Sequence, residues 1–199
     1  MSEIQFMVKP DWVSWEDVCD CISKANTVND KKGFHMLFAD IKPDTIRKKM
    51  EDGVCFVALY NGKVVGTTSY RVLRKKTWWV RGKVIYHCYD AVLPEFRGTD
   101  VYIGINKLKY DSVKATGLKI QQFYTAEQNR PVIKLNLRYG FKLISFRPTT
   151  KGAKYYSVSM VKWDDGCPYP DWFLKIMYNL SKWYSRTFYN PDNTSKIKS

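Results

Sequence analysis

The chain has 199 residues, of which 45% are apolar, 16% aromatic and 26% charged. That composition excludes a disordered chain, which lacks the apolar surface to offset its ordering entropy, and the length suits one well-buried core rather than two ordinary domains. Lys and Arg number 33 against 19 Asp and Glu, a formal charge of +14, which draws polyanions such as nucleic acid, acidic membrane surfaces or coenzyme phosphates without choosing among them.

The opening MSEIQF has neither a basic nor an apolar leader region, and no apolar run approaches about 18 residues, so a soluble, cytoplasmic protein is expected. Five cysteines, Cys19, Cys21, Cys55, Cys88 and Cys167, show no CxxC spacing. They read as reduced thiols, and with only His35 and His87 to join them no metal site is expected.

Ile4 to Val8 reads as a first strand. Ser14 then caps a helix through Lys24, with Asp17 three residues on and Trp15, Val18, Cys19 and Ile22 at helical spacing. Asn26 to Gly33 reads as a polar loop, and the apolar knot Phe34 to Phe38 has no period. Asp44 is placed as the cap of a second helix ending at Gly53. Val54 to Tyr60 and Lys63 to Leu73 flank Asn61-Gly62, a strong hairpin signal. Arg74, Lys75 and Lys76 then form a basic tip before Trp78 and Trp79. Such a tip suits nucleic acid, a cover for an acceptor pocket, or a sheet edge with its tryptophans packed inward.

Val84 to Leu93 is β-branched and aromatic, a buried strand that Pro94 ends. A loop of Glu95 to Gly98 follows, and Thr99 or Asp100 can cap a helix through Lys114, with Gly117 as its stop. A helix start offers unpaired N–H groups and a positive dipole end, here beside Arg97, which suits phosphate. Lys119 to Thr125 is the next strand. Arg130 to Tyr139 is a helix closed by Gly140, and Phe141 to Phe146 and Tyr155 to Trp163 complete the strands. Beyond a body spanning 1–163, residues 164–199 hold an amphipathic, basic helix from Asp171. Its stripe of Phe173, Ile176, Met177, Leu180 and Tyr184 is expected to dock on the core, with a peripheral membrane contact or a homodimer as the other uses. A polar tail ends the chain.

Spacing alone implies one α+β domain. The run VLPEFRGTDVY resembles the pyrophosphate-binding segment of the GNAT superfamily of acyl-CoA N-acyltransferases, through Val92, Pro94, Phe96, Arg97 and Gly98. Asp100 and Tyr102 stand where later glycines are usual. NRPVIKLNLRYGF is similar to that family's second helix and turn through Asn129, Gly140 and Phe141, with Val132 and Asn136 replacing the usual Ala and Tyr. The resemblance covers roughly residues 54 to 163. It implies a single domain with a mixed, mostly antiparallel twisted sheet and helices on both faces, splayed between the strands at Val84 and Lys119.

The resemblance also implies an N-acetyltransferase using acetyl-CoA as co-substrate and a small-molecule amine as acceptor, by direct attack in a ternary complex. Backbone groups of Arg97, Gly98, Thr99, Asp100, Val101 and Tyr102 would hold pyrophosphate, main-chain groups of Ala91, Val92 and Leu93 would pair with the pantetheine arm, and Asn129 and Asn136 complete the coenzyme set. An amide at Asn136 cannot protonate the departing thiolate, so Tyr139 one turn on is the candidate acid, with Tyr102 in reserve. His87, Asp90 and Glu127 are the polar candidates for the base, and Cys88 for an acylated nucleophile. Two other readings stand beside this one. The departures at Asp100, Tyr102 and Asn136 suit a catalytically degenerate binding module. The charge suits a nucleic-acid binder, although no recognisable motif supports one and no specific nucleic-acid partner is expected.

Overall fold

The computed structural model describes residues 3–31, 41–148 and 156–189. Its elements run β1 (Gln5–Val8), α1 (Trp15–Lys31), α2 (Pro43–Lys49), β2 (Gly53–Tyr60), β3 (Lys63–Thr77), β4 (Val80–Val92), α3 (Val101–Ala115), β5 (Ile120–Ala126), α4 (Arg130–Arg138), β6 (Lys142–Pro148), β7 (Tyr156–Trp163) and α5 (Asp171–Phe188). This is the mixed, mostly antiparallel architecture expected, in the expected order. His35, the Phe34 to Phe38 knot and the polar tail lie outside the described residues. The chain divides into two compact units, Met1–Leu118 and Lys119–Ser199.

In the first unit the strands pair in the order β1-β2-β3-β4, every pair antiparallel. Strand alternation sends β2 side chains to two cores. Cys55, Val57 and Leu59 join Val18 and Ile22 of α1 and Ile46 of α2 on one face. Phe56 and Ala58 join Ile85 of β4 and Val101, Ile105 and Val113 of α3 on the other. Asn61 and Gly62 both have positive φ, 50° and 74°, the two-residue turn that matches strand twist. Ser14 caps α1 as expected: its Oγ accepts from the Asp17 N–H at 3.0 Å, and its own N–H donates to the Asp17 carboxylate at 3.3 Å.

Three local expectations change. The polar loop at Asn26 is helix as far as Lys31, because nothing before Gly33 breaks α1 and Asn26 is buried in it. Asp44 is no cap; it lies in the first turn of α2 and pairs with Arg47 at 2.9 Å. The basic tip is not a loop, since β3 continues through Arg74, Lys75 and Lys76 to Thr77, and Trp78-Trp79 alone make the turn.

In the second unit β7 lies between β5 and β6, again antiparallel. Phe123, Phe146, Val158 and Met160 form one core with Ile133 of α4 and Tyr178 of α5. The helix α5 docks through Leu174, Tyr178 and the hydroxyls of Ser181 and Ser185, which bond the Phe146 N–H and C=O at 2.9 Å each. Of the stripe expected to dock, Ile176, Leu180 and Tyr184 are turned outward, at 48%, 53% and 50% exposed, while Phe173 and Met177 are half-buried. Hydroxyls able to satisfy the backbone of β6 decide the docked face.

A Cβ at Gly104 would stand 2.5 Å from the Phe6 ring, so glycine is what lets β1 pack against α3. Gly104→Ala is expected to cost about 1–3 kcal/mol in urea unfolding, with Phe6→Leu in the same chain restoring part of the loss. An Ala variant as stable as the original would show that the two elements yield freely.

Candidate active site

Strand β4 carries an irregularity that sequence periodicity does not reveal. Thr67 pairs with Ala91 and Ser69 with Cys88, so Thr68 faces two residues, Tyr89 and Asp90. Tyr89 has φ +58°, a conformation a bulky side chain adopts only under constraint. Such a bulge re-aims the side chains beyond it. Tyr89 and Cys88 both face the α1 core, while Asp90 faces α3.

There it meets Lys109, only 2% exposed, whose ammonium donates to Thr68 Oγ1 at 2.7 Å and lies 3.3 Å from both Asp90 oxygens. Thr68 Oγ1 also bonds Asp90 directly. The Asp90 side chain keeps 38% of its surface open. His87 does not reach an open site: it is buried and meets the Tyr110 ring edge-on at 5.9 Å. Burial pushes the Cys88 thiol well above the ordinary thiol range, so it is packing rather than a nucleophile. Burial also raises Tyr89, to about 12.

Beyond the bulge, Leu93 N–H donates to Val65 O at 2.9 Å, and Ala91 and Val92 pair with Thr67 and Gly66. A 3₁₀ turn, Pro94–Phe96, leads into the loop. Arg97 turns back onto the structure: Nε donates to Val92 O at 3.3 Å, Nη1 to Asn29 Oδ1 at 3.2 Å and Nη2 to Ala25 O at 2.9 Å. Its side chain therefore ties the loop to the C-terminal part of α1. Gly98 has φ +81° and nothing within 4 Å of where a Cβ would stand. Of the two proposed caps, Thr99 serves, its Oγ1 accepting from the Val101 N–H at 3.4 Å; Asp100 makes no side-chain cap bond. Residues 97–100, Tyr102 and Ile103 are exposed around the buried Val101.

In the second unit, Asn129 Nδ2 donates to Thr125 Oγ1 at 3.2 Å at the start of α4. Asn136 is 9% exposed and donates to Val132 O of its own helix at 2.9 Å. The helix ends as the sequence predicts, with Gly140 at φ +86°. The Phe141 N–H reaches Asn136 O at 3.0 Å and the Gly140 N–H reaches Leu137 O at 3.1 Å. Tyr139 at that end is 59% exposed. Glu127 is held by Lys182 at 3.1 Å and Arg186 at 3.0 Å, and so anchors α5 to the strand end rather than standing ready as a base. Among the described residues no cluster of three or more His, Cys, Asp or Glu could hold a metal ion, and no helix is long and apolar enough to cross a membrane.

No family model matches the chain, and no curated protein matches it. Solved structures do. The ribosomal-protein-S18-alanine N-acetyltransferase of Escherichia coli is similar at a TM-score of 0.59 and 14% identity, over 81% of this chain and 94% of that one. An N-acetyltransferase from Staphylococcus aureus Mu50 is similar at 0.58 and 15%, over 81% and 99%. A chain of the NatC complex bound to Gag peptide and CoA is similar at 0.61 and 13%, over 81% and 98%. The fold is that of the GNAT acetyltransferases. At these identities the likeness is one of fold.

Within this GNAT fold the sequence reading missed the bulge and the Lys109, Thr68 and Asp90 cluster that accompanies it. The one signal was Asp90, the single carboxylate of its strand. Lys109 on α3 reads as an ordinary surface residue until burial is known. Asp90→Ala leaves the Lys109 charge buried without its counterion and is expected to cost about 3 kcal/mol. Lys109→Met leaves a carboxylate that reaches water and should cost clearly less. Urea unfolding at neutral pH checks the order, and a greater loss from Lys109→Met would overturn this account of the pair.

Proposed function

We infer that the chain is an acyl-CoA-dependent N-acyltransferase moving an acetyl group from acetyl-CoA to the amine of a small acceptor, by direct attack in a ternary complex. The observation that carries this reading is the bulge in β4, followed within a few residues by an exposed glycine loop at the start of α3, in a chain of this fold. The open space over Gly98 fits a phosphate group approaching backbone N–H groups, and the α3 dipole favours it there.

Acetyl-CoA supplies an activated thioester; the chain's part is to position and polarise it. Pyrophosphate is held by backbone groups from Gly98 to Tyr102, with Arg97 bracing the loop from behind. The Leu93 N–H already serves Val65 and alternation turns the Ala91 N–H to the same side, so polarisation of the thioester carbonyl falls to the Val92 N–H. Of the polar candidates, Asp90 has the exposed carboxylate and takes the amine proton. For the proton owed to the departing thiolate the candidate is Tyr139, an exposed phenol with a proton to give, whereas the Asn136 amide has none and is turned into its own helix. A second reading, a binding module without turnover, is favoured by the Asp100 carboxylate, uncapped beside the loop, which opposes pyrophosphate.

Acetyl-CoA at a hundred times its Kd is expected to stabilise the fold by about 2.7 kcal/mol, read as a rise in melting temperature at low salt. Gly98→Val, strained at positive φ and filling the space above the loop, should remove that rise and keep the fold. No shift with the original chain would end the enzyme reading, and a shift that survives in a folded Gly98→Val variant would place the coenzyme elsewhere. Stabilisation without transfer to any amine would leave the binding module.

Tyr139→Phe removes one hydroxyl and keeps the ring. Turnover is expected to fall about 10²-fold with acetyl-CoA affinity unchanged, measured on the same preparation by single-turnover kinetics and calorimetry. Full turnover in the variant would pass the proton to Tyr102 or to water.

A further inference from the structure

Strands β3 and β4 run on past the last residue that β2 pairs, Arg71, as a ribbon from Val72 opposite Ile85 to Thr77 opposite Val80. Alternation along the ribbon puts Arg74 and Lys76 on one face, and the register puts Lys83 and Arg81 directly across from them on that face. All four are exposed, whereas Lys75, on the other face, is half-buried and Val80 buried. Arg74 thus opposes Lys83, and Lys76 opposes Arg81. Like charges directly across an antiparallel pair work against the pairing.

No carboxylate offsets them: among the described residues none of the four takes part in an ion pair. A surface shaped for solubility alone would intersperse the two signs. The tip also borders a cavity of about 630 Å³ lined by Arg74, Lys75, Lys76, Trp78 and Arg81 among others. Trp78 there is 41% exposed.

We propose that this four-cation face binds the phosphodiester backbone of a nucleic acid, with Trp78 stacking on a base at the ribbon's end. The four side chains leave the ribbon from positions about 7 Å apart along each strand and about 5 Å across, a compact array that a chain of closely spaced single charges satisfies together. The tryptophan offers what every base can use and a carboxylate peptide cannot, a π-face beside the charges. A two-stranded ribbon also fits the major groove of a duplex, so single and double strands share the required chemistry. The +14 charge of the chain adds long-range attraction for either. On sequence alone the tip already suits nucleic acid, with no specific partner expected for want of a recognisable motif; the register adds that the cations oppose one another. The proposal is independent of the acyltransferase reading.

Fluorescence anisotropy of the full chain with a labelled oligonucleotide about twenty nucleotides long, single-stranded and as a duplex, tests it across about 50 to 200 mM salt. Binding of at least one form is expected, with Trp78→Phe weakening the single strand more than the duplex if single strands are the source. Replacing Arg74, Lys76, Arg81 and Lys83 by Gln should lower the log-log salt slope by about 3 and affinity at low salt by about 100-fold. A control losing the same charge elsewhere, with Lys48, Lys49, Lys114 and Lys175 changed to Gln, should change affinity less than about threefold. The ribbon variant should melt no lower than the original, because its like-charge pairs are gone, so a loss of binding is not a loss of fold. Three results would overturn the proposal: no binding of either form at low salt, an equal loss in the control, or binding of anionic vesicles with neither oligonucleotide bound.

Discussion

An ammonium group with almost no access to water has to be satisfied by its neighbours, and for Lys109 those are Thr68 of β3 and Asp90 of β4. The contact joins α3 to two strands at the point where β4 changes parity. Before the bulge, Ile85 and His87 face α3; after it, Asp90 and Val92 do. A single extra residue therefore reverses which way Ala91 and Val92 point, as a slip of register would. The direction in which the strand delivers Pro94 and its loop follows from that reversal.

What the loop can do is set by how its own groups are bonded. Arg97, the residue that looked most suited to phosphate, is tied to α1 by two hydrogen bonds and to the end of β4 by a third. Its charge still lies beside the loop, but its geometry serves stiffness. Thr99 rather than Asp100 closes the helix start, which leaves the Asp100 carboxylate as a negative charge at the positive end of α3. That arrangement steadies the helix and weakens its pull on an anion, so the loop is a compromise between holding its own shape and holding a ligand.

Where residues carry their own signal, sequence and structure agree. The Asn61-Gly62 turn, the Ser14 and Asp17 cap, the Pro94 stop and the Gly140 helix end each rest on local backbone preferences, which need no knowledge of the rest of the chain. The misses rest on non-local facts. His87 and Glu127 look alike on paper as polar residues on or after strands, yet one is buried against Tyr110 and the other pairs with two cations of α5. The docked face of α5 depends on hydroxyls meeting the backbone of β6, while periodicity points to the broader apolar arc. Cross-strand charge opposition at Arg74 and Lys83 needs the register, and no propensity encodes it.

The same opposition bears on the order in which the first unit assembles. Strands β2, β3 and β4 are neighbours both in sequence and in the sheet, so their pairings close short loops at low entropic cost. The β2–β3 hairpin begins from a turn whose residues already prefer the needed conformation. The β3–β4 hairpin has to close around Trp78-Trp79, where four positive charges converge before any distant contact rewards them. Zipping there should lag behind the first hairpin and quicken with added salt, which shortens the reach of the repulsion. The rate at which this protein folds would then respond to ionic strength through one hairpin tip.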